Sequence, residues 1–409
     1  MTDRADRADV LIAGGGVAGL ALAVALKTAL SGRLRVVLCD PALARPARRD
    51  DRAFAIAAGP RRMMQTLGVW DAIEPGAQPI VEMAISDSRV NDPVRPVFLT
   101  FGGEVEPGEP FAHMIEHATL LEALTAAARK AGVDLRAEGV TGTEMEDFAR
   151  VARLGSGARV AATLVVACDG ARSPLREEAG IGLVRWAYKQ SGIVATIGHE
   201  RDHGGRADEQ FLPSGPFAIL PLKGRRSSIV WTERTDNVPA LLALDDDDLL
   251  AEIERRFGLR LGKLTLETRP VAYPLSFAIA RAFVGPRLAL VGDAAHIVHP
   301  IAGQGLNLGF RDVAALAEEI VEAASLGLDV GAADVLEAYQ RARRFDTVLN
   351  GALMDGLNRL FSNDATPLRM LRDLGLGVVD RLPGLKRFFI REAAGLAGAA
   401  PRLLRGESL

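Results

Sequence analysis

Cysteine is nearly absent: the 409 residues include only Cys39 and Cys168. Both fall in apolar, strand-like runs. Two are too few for a disulfide framework and lack metal-ligand spacing, so a reducing cytoplasm is the expected compartment. No charge of one sign dominates. Against 49 Lys and Arg stand 52 Asp and Glu, leaving a formal net charge of -3. With no long run of Lys and Arg, that balance gives no footprint for nucleic acid. A membrane-spanning run is missing too. Residues 10–26 carry no charge, but they fall short of the roughly 20 a bilayer needs and three consecutive glycines interrupt them. Mixed charges precede the segment and it lacks a convincing cleavage site, which argues against a signal peptide. It reads as a buried strand and helix. Also missing are an acid–base dyad, a nucleophilic triad, a metal cluster, an internal repeat and a low-complexity linker, so no general base and no metal ligand is assigned.

What remains is ordinary in bulk and specific in places. Hydrophobic residues make up 48% and charged residues 25%, as in soluble globular proteins, and the length allows two domains or one large domain with insertions. The stretch that organises the chain is 288–312, LALVGDAAHIVHPIAGQGLNLGFRD. An apolar run ends in Gly292-Asp293, and a loop follows with His296, His299, Pro300, Gly303, Gln304, Gly305 and Asn307. A helical pattern then starts near Leu306. Strand, carboxylate, backbone-rich loop and helix in that order aim an acceptor and several free N–H groups at one polar ligand, because the first N–H groups of a helix lack intrahelical partners. An ordinary βα crossover is the competing reading, and His296 and His299 read as loop-structural.

The N-terminus tips the balance. A short strand leads into Gly14-Gly15-Gly16-Val17-Ala18-Gly19, then a helix to about residue 30, then a strand ending at Asp40. This is GxGxxG between strand and helix, with an acid about 20 residues further on. Its glycines permit a tight turn and close approach to a pyrophosphate, which faces the helix N-terminus, while Asp40 would accept from ribose hydroxyls. The pattern predicts dinucleotide binding but does not separate FAD from NAD.

Of the arginines in the basic loop 45–52, Arg45, Arg48 and Arg49 read as solvated surface. Arg52 abuts an apolar run and is either surface or a phosphate or flavin contact. Short alternating runs at 81–85 and 97–101 read as strands leaving the first domain. An Ala- and Leu-rich helix is predicted over 117–131, with strands at 133–137 and 160–168 and a hairpin between them. Cys168-Asp169-Gly170-Ala171-Arg172-Ser173 closes the latter strand with a second carboxylate–glycine turn. From 186 to 277 the character is antiparallel β, with 245–256 as a solvated helix, and after 332 it is helical. There Tyr339, Arg343 and Asp346 lie on nearly one helix face. The tail mixes Phe361, Leu368, Leu371, Phe388 and Phe389 with Arg359, Arg369, Arg387 and Arg391. It either packs onto the domains or forms an amphipathic face for a membrane or partner.

Three pieces at residues 14, 169 and 293, each at a strand end, require a ligand long enough to reach several parts of one sheet. Their order resembles the three fingerprints of single-component FAD-dependent aromatic hydroxylases, the para-hydroxybenzoate hydroxylase fold. The longer third motif, from His299-Pro300 through Gly303-Gln304-Gly305-Leu306-Asn307-Leu308-Gly309 to Asp312, together with Tyr339, Arg343 and Asp346, is similar to the ubiquinone-biosynthesis hydroxylases. That resemblance covers roughly residues 9–346. It implies an α/β chain: a Rossmann-like FAD-binding domain (1–75, 106–180 and 278–350), an inserted antiparallel β-sheet substrate domain (76–105 and 181–277) and a C-terminal helical region (351–409).

By the same resemblance, FAD would be held by Gly14, Gly16, Val17, Ala18, Gly19, Asp40, Arg52, Gly292, Asp293, Pro300, Gly303, Gln304, Gly305, Leu306 and Asn307. Asp169 would serve both FAD and a reduced nicotinamide. The flavin would do the hard step, activating O₂ as a peroxide that hydroxylates an electron-rich ring. The implied partners are a prenylated phenol, O₂ and NAD(P)H or a separate reductase, since there is no second GxGxxG. Such a greasy substrate would make docking at the inner membrane or in a multi-enzyme complex useful. Phe211, Phe217 and Trp231 are candidate lining residues, with core packing the favoured role for each. Rival readings are a hydroxylase of another aromatic or secondary metabolite, a flavin reductase of prenyl double bonds, and a non-catalytic FAD-containing scaffold.

Overall fold

The computed structural model describes residues 6–44, 50–87, 89–90, 97–102, 104–300, 303–361, 394–396 and 400–409. Arg45, Arg48 and Arg49, and the tail residues Leu368, Arg369, Leu371, Arg387, Phe388, Phe389 and Arg391, lie outside them, as does the side chain of Phe361.

In chain order, β1 (Asp6–Ala13) runs into α1 (Val17–Ala29) and back to β2 (Val36–Cys39). Then come β3 (Ala53–Ala57), β4 (Gln78–Ile80), β5 (Glu82–Asp87), β6 (Val97–Gly102) and β7 (Ala112–Glu116). Helix α2 (His117–Lys130) follows, with β8 (Asp134–Arg136), the hairpin β9 (Val140–Glu146) and β10 (Ala149–Leu154), and β11 (Arg159–Ala167). The short helix α3 (Pro174–Glu178) leads to β12 (Leu183–His199), β13 (Arg206–Leu212), β14 (Gly215–Leu222) and β15 (Arg226–Arg234). Helix α4 (Asp246–Phe257) precedes β16 (Val271–Ala280), β17 (Leu288–Leu290) and β18 (His296–Ile297). Two long helices follow, α5 (Gln304–Ser325) and α6 (Ala333–Phe361).

Two large sheets result. In the first, β8, β2, β1 and β11 lie side by side and parallel, and β17 joins the far half of β11, also parallel. These strands read as continuous apolar runs, as parallel strands covered on both faces do; β2 and the last four residues of β11 are buried throughout. Helix α1 is buried from Leu20 to Leu26 between the sheet, α2 and α5. The second sheet runs β18-β16-β12-β15-β14-β13-β5-β6, with antiparallel pairing except between β13 and β5. One of its faces packs Ile193, Phe217, Ile229 and Trp231 against Leu249, Ile253 and Phe257 of α4. A third, small sheet, β3-β7-β4, lies between the two.

We propose the domain division given above, adjusted where pairing crosses it: β18, within 278–350, pairs with β16 in the second large sheet. Strand β4 belongs to the small sheet rather than the second large one, and β16 runs through the 277/278 boundary. Helix α6 likewise continues past residue 350. Helix α5 begins at Gln304, two residues before its apolar periodicity does, because Gly303 in a left-handed conformation (φ 63°) turns the chain directly into it.

Candidate functional site

The parallel strands end level with one another. Ala13 pairs with Cys39 on one side and Ala167 on the other, and Ala167 with Leu290. The residues that follow, Gly14, Asp40, Cys168-Asp169 and Val291-Gly292-Asp293, therefore share one rim. This is the carboxyl end of the sheet, where α/β folds bind ligands.

At that rim only glycine fits the first turn. Gly14 has φ 114°, and a Cβ there would lie 2.2 Å from the Cys168 carbonyl oxygen. A Cβ on Gly19 would lie 2.0 Å from the Gly14 oxygen. Gly16, by contrast, faces open space with nothing within 4 Å of its absent Cβ. It starts α1 with no side-chain cap and no acid in the first turn. The N–H groups of that turn are thus left for a ligand, with about half a positive charge behind them. Asp40 accepts from the Gly15 N–H (2.6 Å) through Oδ2 and from the Ala42 N–H (2.6 Å) through Oδ1. Two of its roughly four lone-pair positions remain for a ribose. Glycine loop, bare helix start and acid fit a dinucleotide.

The second turn is more inward-looking than its sequence implies. Asp169 Oδ2 accepts from the Leu175 N–H at 3.3 Å, while Oδ1 is buried without a partner. Burial pushes this carboxyl above the usual carboxylate value, against a bond from Ser173. Arg176, 2% exposed, donates to the carbonyls of Ala171 (3.2 Å) and Ala294 (3.0 Å), stitching the second turn to the third. No sequence pattern pointed to that arginine. Asp293 lies exposed on the rim; surrounding protein raises its carboxyl, with His296 and Arg52 pulling the other way.

Beneath the third turn lies a buried ionic chain. Asp312 accepts from His296 Nε2 (2.6 Å) and the Gly292 N–H (3.0 Å) on one oxygen, and from Arg343 Nε (2.8 Å) on the other. Arg343 continues to Asp346 (2.5 Å), and Tyr339 donates to the Leu290 carbonyl (2.7 Å). The helix face of Tyr339, Arg343 and Asp346 thus supports the Gly292 turn from behind. His296 is 2% exposed and its Nε2 is spent on Asp312. Both cysteines are inert: burial pushes Cys39 up to about 12 and raises Cys168 as well.

The start of α5 closes the rim. The Gly303 N–H donates to the Pro300 carbonyl at 2.9 Å. Gly305 faces open space, and the helix has neither a capping side chain nor an acid in its first turn. The Asn307 side chain is spent elsewhere. It accepts from the Ala57 N–H (3.0 Å) and donates to the carbonyls of Ala55 (2.8 Å) and Gly303 (2.9 Å), so it ties α5 to β3. Leu306 packs against the core. What α5 offers a ligand is backbone N–H.

Next to this helix start is a cavity of about 240 Å³ between β3, β7, β4 and the second large sheet. Its walls are mainly apolar, with Phe54, Ile80, Met83, Phe111, Val194, Ala218, Leu220, Val230 and Leu275, and its polar groups include Arg52, Glu209, Thr232, Tyr273, His299 and Gln304. The Arg52 guanidinium, bonded to Asp50 (2.6 Å), lies 5.7 Å from the Phe54 and Tyr273 rings. Burial pushes His299 down to about 4, so it is neutral at neutral pH, its ring edge-on to Tyr188. Phe217 and Trp231 point to the opposite, α4-covered face, and Phe211, though buried, is not among the lining residues. Sequence reading missed Glu209, Tyr273 and Leu275.

A dinucleotide rim beside an apolar cavity, roofed by a second sheet, defines an FAD-dependent monooxygenase. The chain belongs to the FAD binding domain family, which it matches over residues 7–346. It is 46% identical to the ubiquinone hydroxylase UbiL of Rhodospirillum rubrum, over 100% of this chain and 95% of that one. It is 35% identical to the 3-demethoxyubiquinol 3-hydroxylase of Escherichia coli, over 95% and 98%. Among solved structures, p-nitrophenol 4-monooxygenase PnpA of Pseudomonas putida superposes with a TM-score of 0.80 over 96% of this chain and 99% of that one; at 19% identity this is a likeness of fold.

Proposed function

We propose that this monooxygenase hydroxylates the aromatic ring of a prenylated phenol on the route to ubiquinone. The observation that carries the reading is the cavity: apolar on most of its wall, it adjoins the bare start of α5 and suits a greasy ring substrate. The similarity to hydroxylases named for ubiquinone and demethoxyubiquinol supports the same substrate class.

On this reading Gly14, Gly16, Val17, Ala18, Gly19 and Asp40 hold the adenosine and pyrophosphate end of FAD. Gly292 and Asp293 hold its ribityl chain. The backbone from Pro300 through Gly303, Gln304, Gly305 and Leu306 lies against the flavin ring, with Asn307 fixing that loop and Arg52 flanking it. Asp169 shapes the second turn beside them. When bound, FAD supplies reduction by NAD(P)H and delivery of oxygen from O₂ to the ring. The protein holds the phenol in place, keeps water from the apolar cavity, and offers N–H groups where negative charge gathers.

A long prenyl chain calls for a membrane at hand. Phe345, Val348, Leu349, Leu353 and Leu360 are exposed on α6 at helical spacing, which supports peripheral docking on the cytoplasmic side of the inner membrane or in a biosynthetic complex. No helix among the described residues is long and apolar enough to cross a membrane. The test of the substrate class is NAD(P)H and O₂ consumption, coupled to a hydroxylated product, with a prenylphenol. Turnover of small soluble phenols alone would sink it.

A further inference from the structure

Glu209 stands out among the groups facing the cavity. It sits on β13 opposite Ala218 of β14; Ala218 pairs with Val230 of β15, and Val230 with Val194 of β12. One row of the sheet thus reads Glu, Ala, Val, Val, and all four line the cavity. Its strand neighbours Asp208 and Gln210 point the other way, where Asp208 pairs with Arg206 and Arg260. Glu209 is 6% exposed and has no hydrogen-bond or ion-pair partner among the described residues. A carboxyl held in apolar surroundings without a partner costs several kcal/mol if it is charged. Nothing in the packing needs it, since glutamine or leucine would fill the same volume.

Resting on the prenylphenol reading, we propose that Glu209 is a catalytic residue that accepts the substrate's phenolic hydroxyl as a hydrogen-bond donor and takes its proton. The phenol O–H bond breaks, the proton moves to a Glu209 carboxylate oxygen, and the electron pair stays on the phenolate, enriching the ring carbons ortho and para to it. Once the hydroxylated ring carbon loses its hydrogen as a proton, which ends in the water formed from the second atom of O₂, the electron pair is back on the phenolic oxygen and Glu209 returns its proton there. A small neighbour leaves room for this: Ala218 beside it keeps the row low enough for a ring to lie across it. Burial pushes the carboxyl up to about 7, which suits a base working near neutral pH. On the flanking strands Ile85 and Ala218 stand opposite it, and the titratable groups around the cavity are Arg52, Tyr273 and His299.

The test uses the FAD-loaded protein and 2-prenylphenol. Without reductant, the near-ultraviolet spectrum of the bound phenol reports its ionisation. In the wild type the bound phenol should ionise well below the value of about 10 for a free phenol. In E209Q it should stay neutral while flavin content is unchanged, and kcat/KM should fall about 100-fold or more with loss of the limb near neutral pH. E209D should keep part of both. If E209Q does not retain FAD, the wild-type titration decides alone. A bound phenol that ionises as in water, or E209Q matching the wild type in spectrum and pH profile, overturns the proposal. Absence of prenylphenol turnover by wild type that still ionises the bound ring would instead overturn the substrate reading and leave the role of Glu209 standing.

Discussion

The two halves of the site are built from different material. The dinucleotide rim is made of backbone: glycines that admit no Cβ, two helix starts with no cap, and strand ends held level by register. The ring cavity is made of side chains projecting from one face of a sheet. A backbone-built site constrains residue identity at each point of close approach. A side-chain-built site constrains only size and polarity, so it can be retuned without disturbing the frame.

That contrast orders the expected effects of mutation. The largest belongs to Gly14→Val, which places carbon within 2.2 Å of the Cys168 carbonyl at a φ that side chains rarely adopt. Flavin absorbance per purified chain should collapse; full retention would break the claim that the rim depends on backbone approach. Next is Asp312→Ala. It removes the acceptor of His296 and of the Gly292 N–H and leaves Arg343, 3% exposed, with Asp346 still beside it, and loss of one partner of a buried pair costs about 3–5 kcal/mol. The melting temperature should fall sharply. Burial alone would raise the Asp312 carboxyl, but His296 and Arg343 outweigh it and hold it low. A depressed carboxyl gives stability that is fully present above the unfolded value of about 3.9 and is lost as pH falls through the folded one. The melting difference between variant and wild type should therefore be full near neutrality and shrink under acid. A constant difference at all pH values would show that packing, not charge, makes the contribution.

How much of this could be read from sequence follows the same line. GxGxxG, Asp40 and the two later turns announced themselves because glycine next to an aspartate at a strand end is rarely dictated by packing. The common face of Tyr339, Arg343 and Asp346 was also legible, since helical spacing is local. That this face meets Asp312, and through it His296, was not, because those contacts join residues 16 to 49 apart in the chain. Glu209 was hidden by parity. In Ala-Asp-Glu-Gln-Phe a shift of one residue decides which polar side chain turns inward, and the bounds of β13 had to be known first. The same parity sends Phe217 and Trp231 to the α4 side and leaves Ala218 and Val230 in the cavity.

Parity gives the next, smaller effect. Ala218→Leu adds bulk in the row between Glu209 and Val230 without touching the rim. The KM for a prenylphenol should rise about tenfold, near 1.4 kcal/mol, with flavin content unchanged. Loss of flavin in this variant would mean that the two halves are not separable.

The smallest effect in solution belongs to the exposed stripe of α6, which lines neither half. Phe345 is 75% exposed and Leu349 48%, while the inner face of α6 is docked by Asn358 to Gln190 (3.0 Å) and by Asp355 to the Trp186 indole (3.1 Å). Replacing Phe345 and Leu349 together by serine removes outward apolar surface and leaves those contacts alone. Stability should move by no more than about 0.5 kcal/mol, as for other surface changes. Turnover of a short-chain phenol in buffer should be unaffected. Binding to vesicles of bacterial lipid should drop, and with it turnover of a long-chain prenylphenol presented in those vesicles. Equal loss on both substrates would place the stripe in the access route to the cavity rather than on a docking surface, and no loss on either would leave its exposure without a functional consequence.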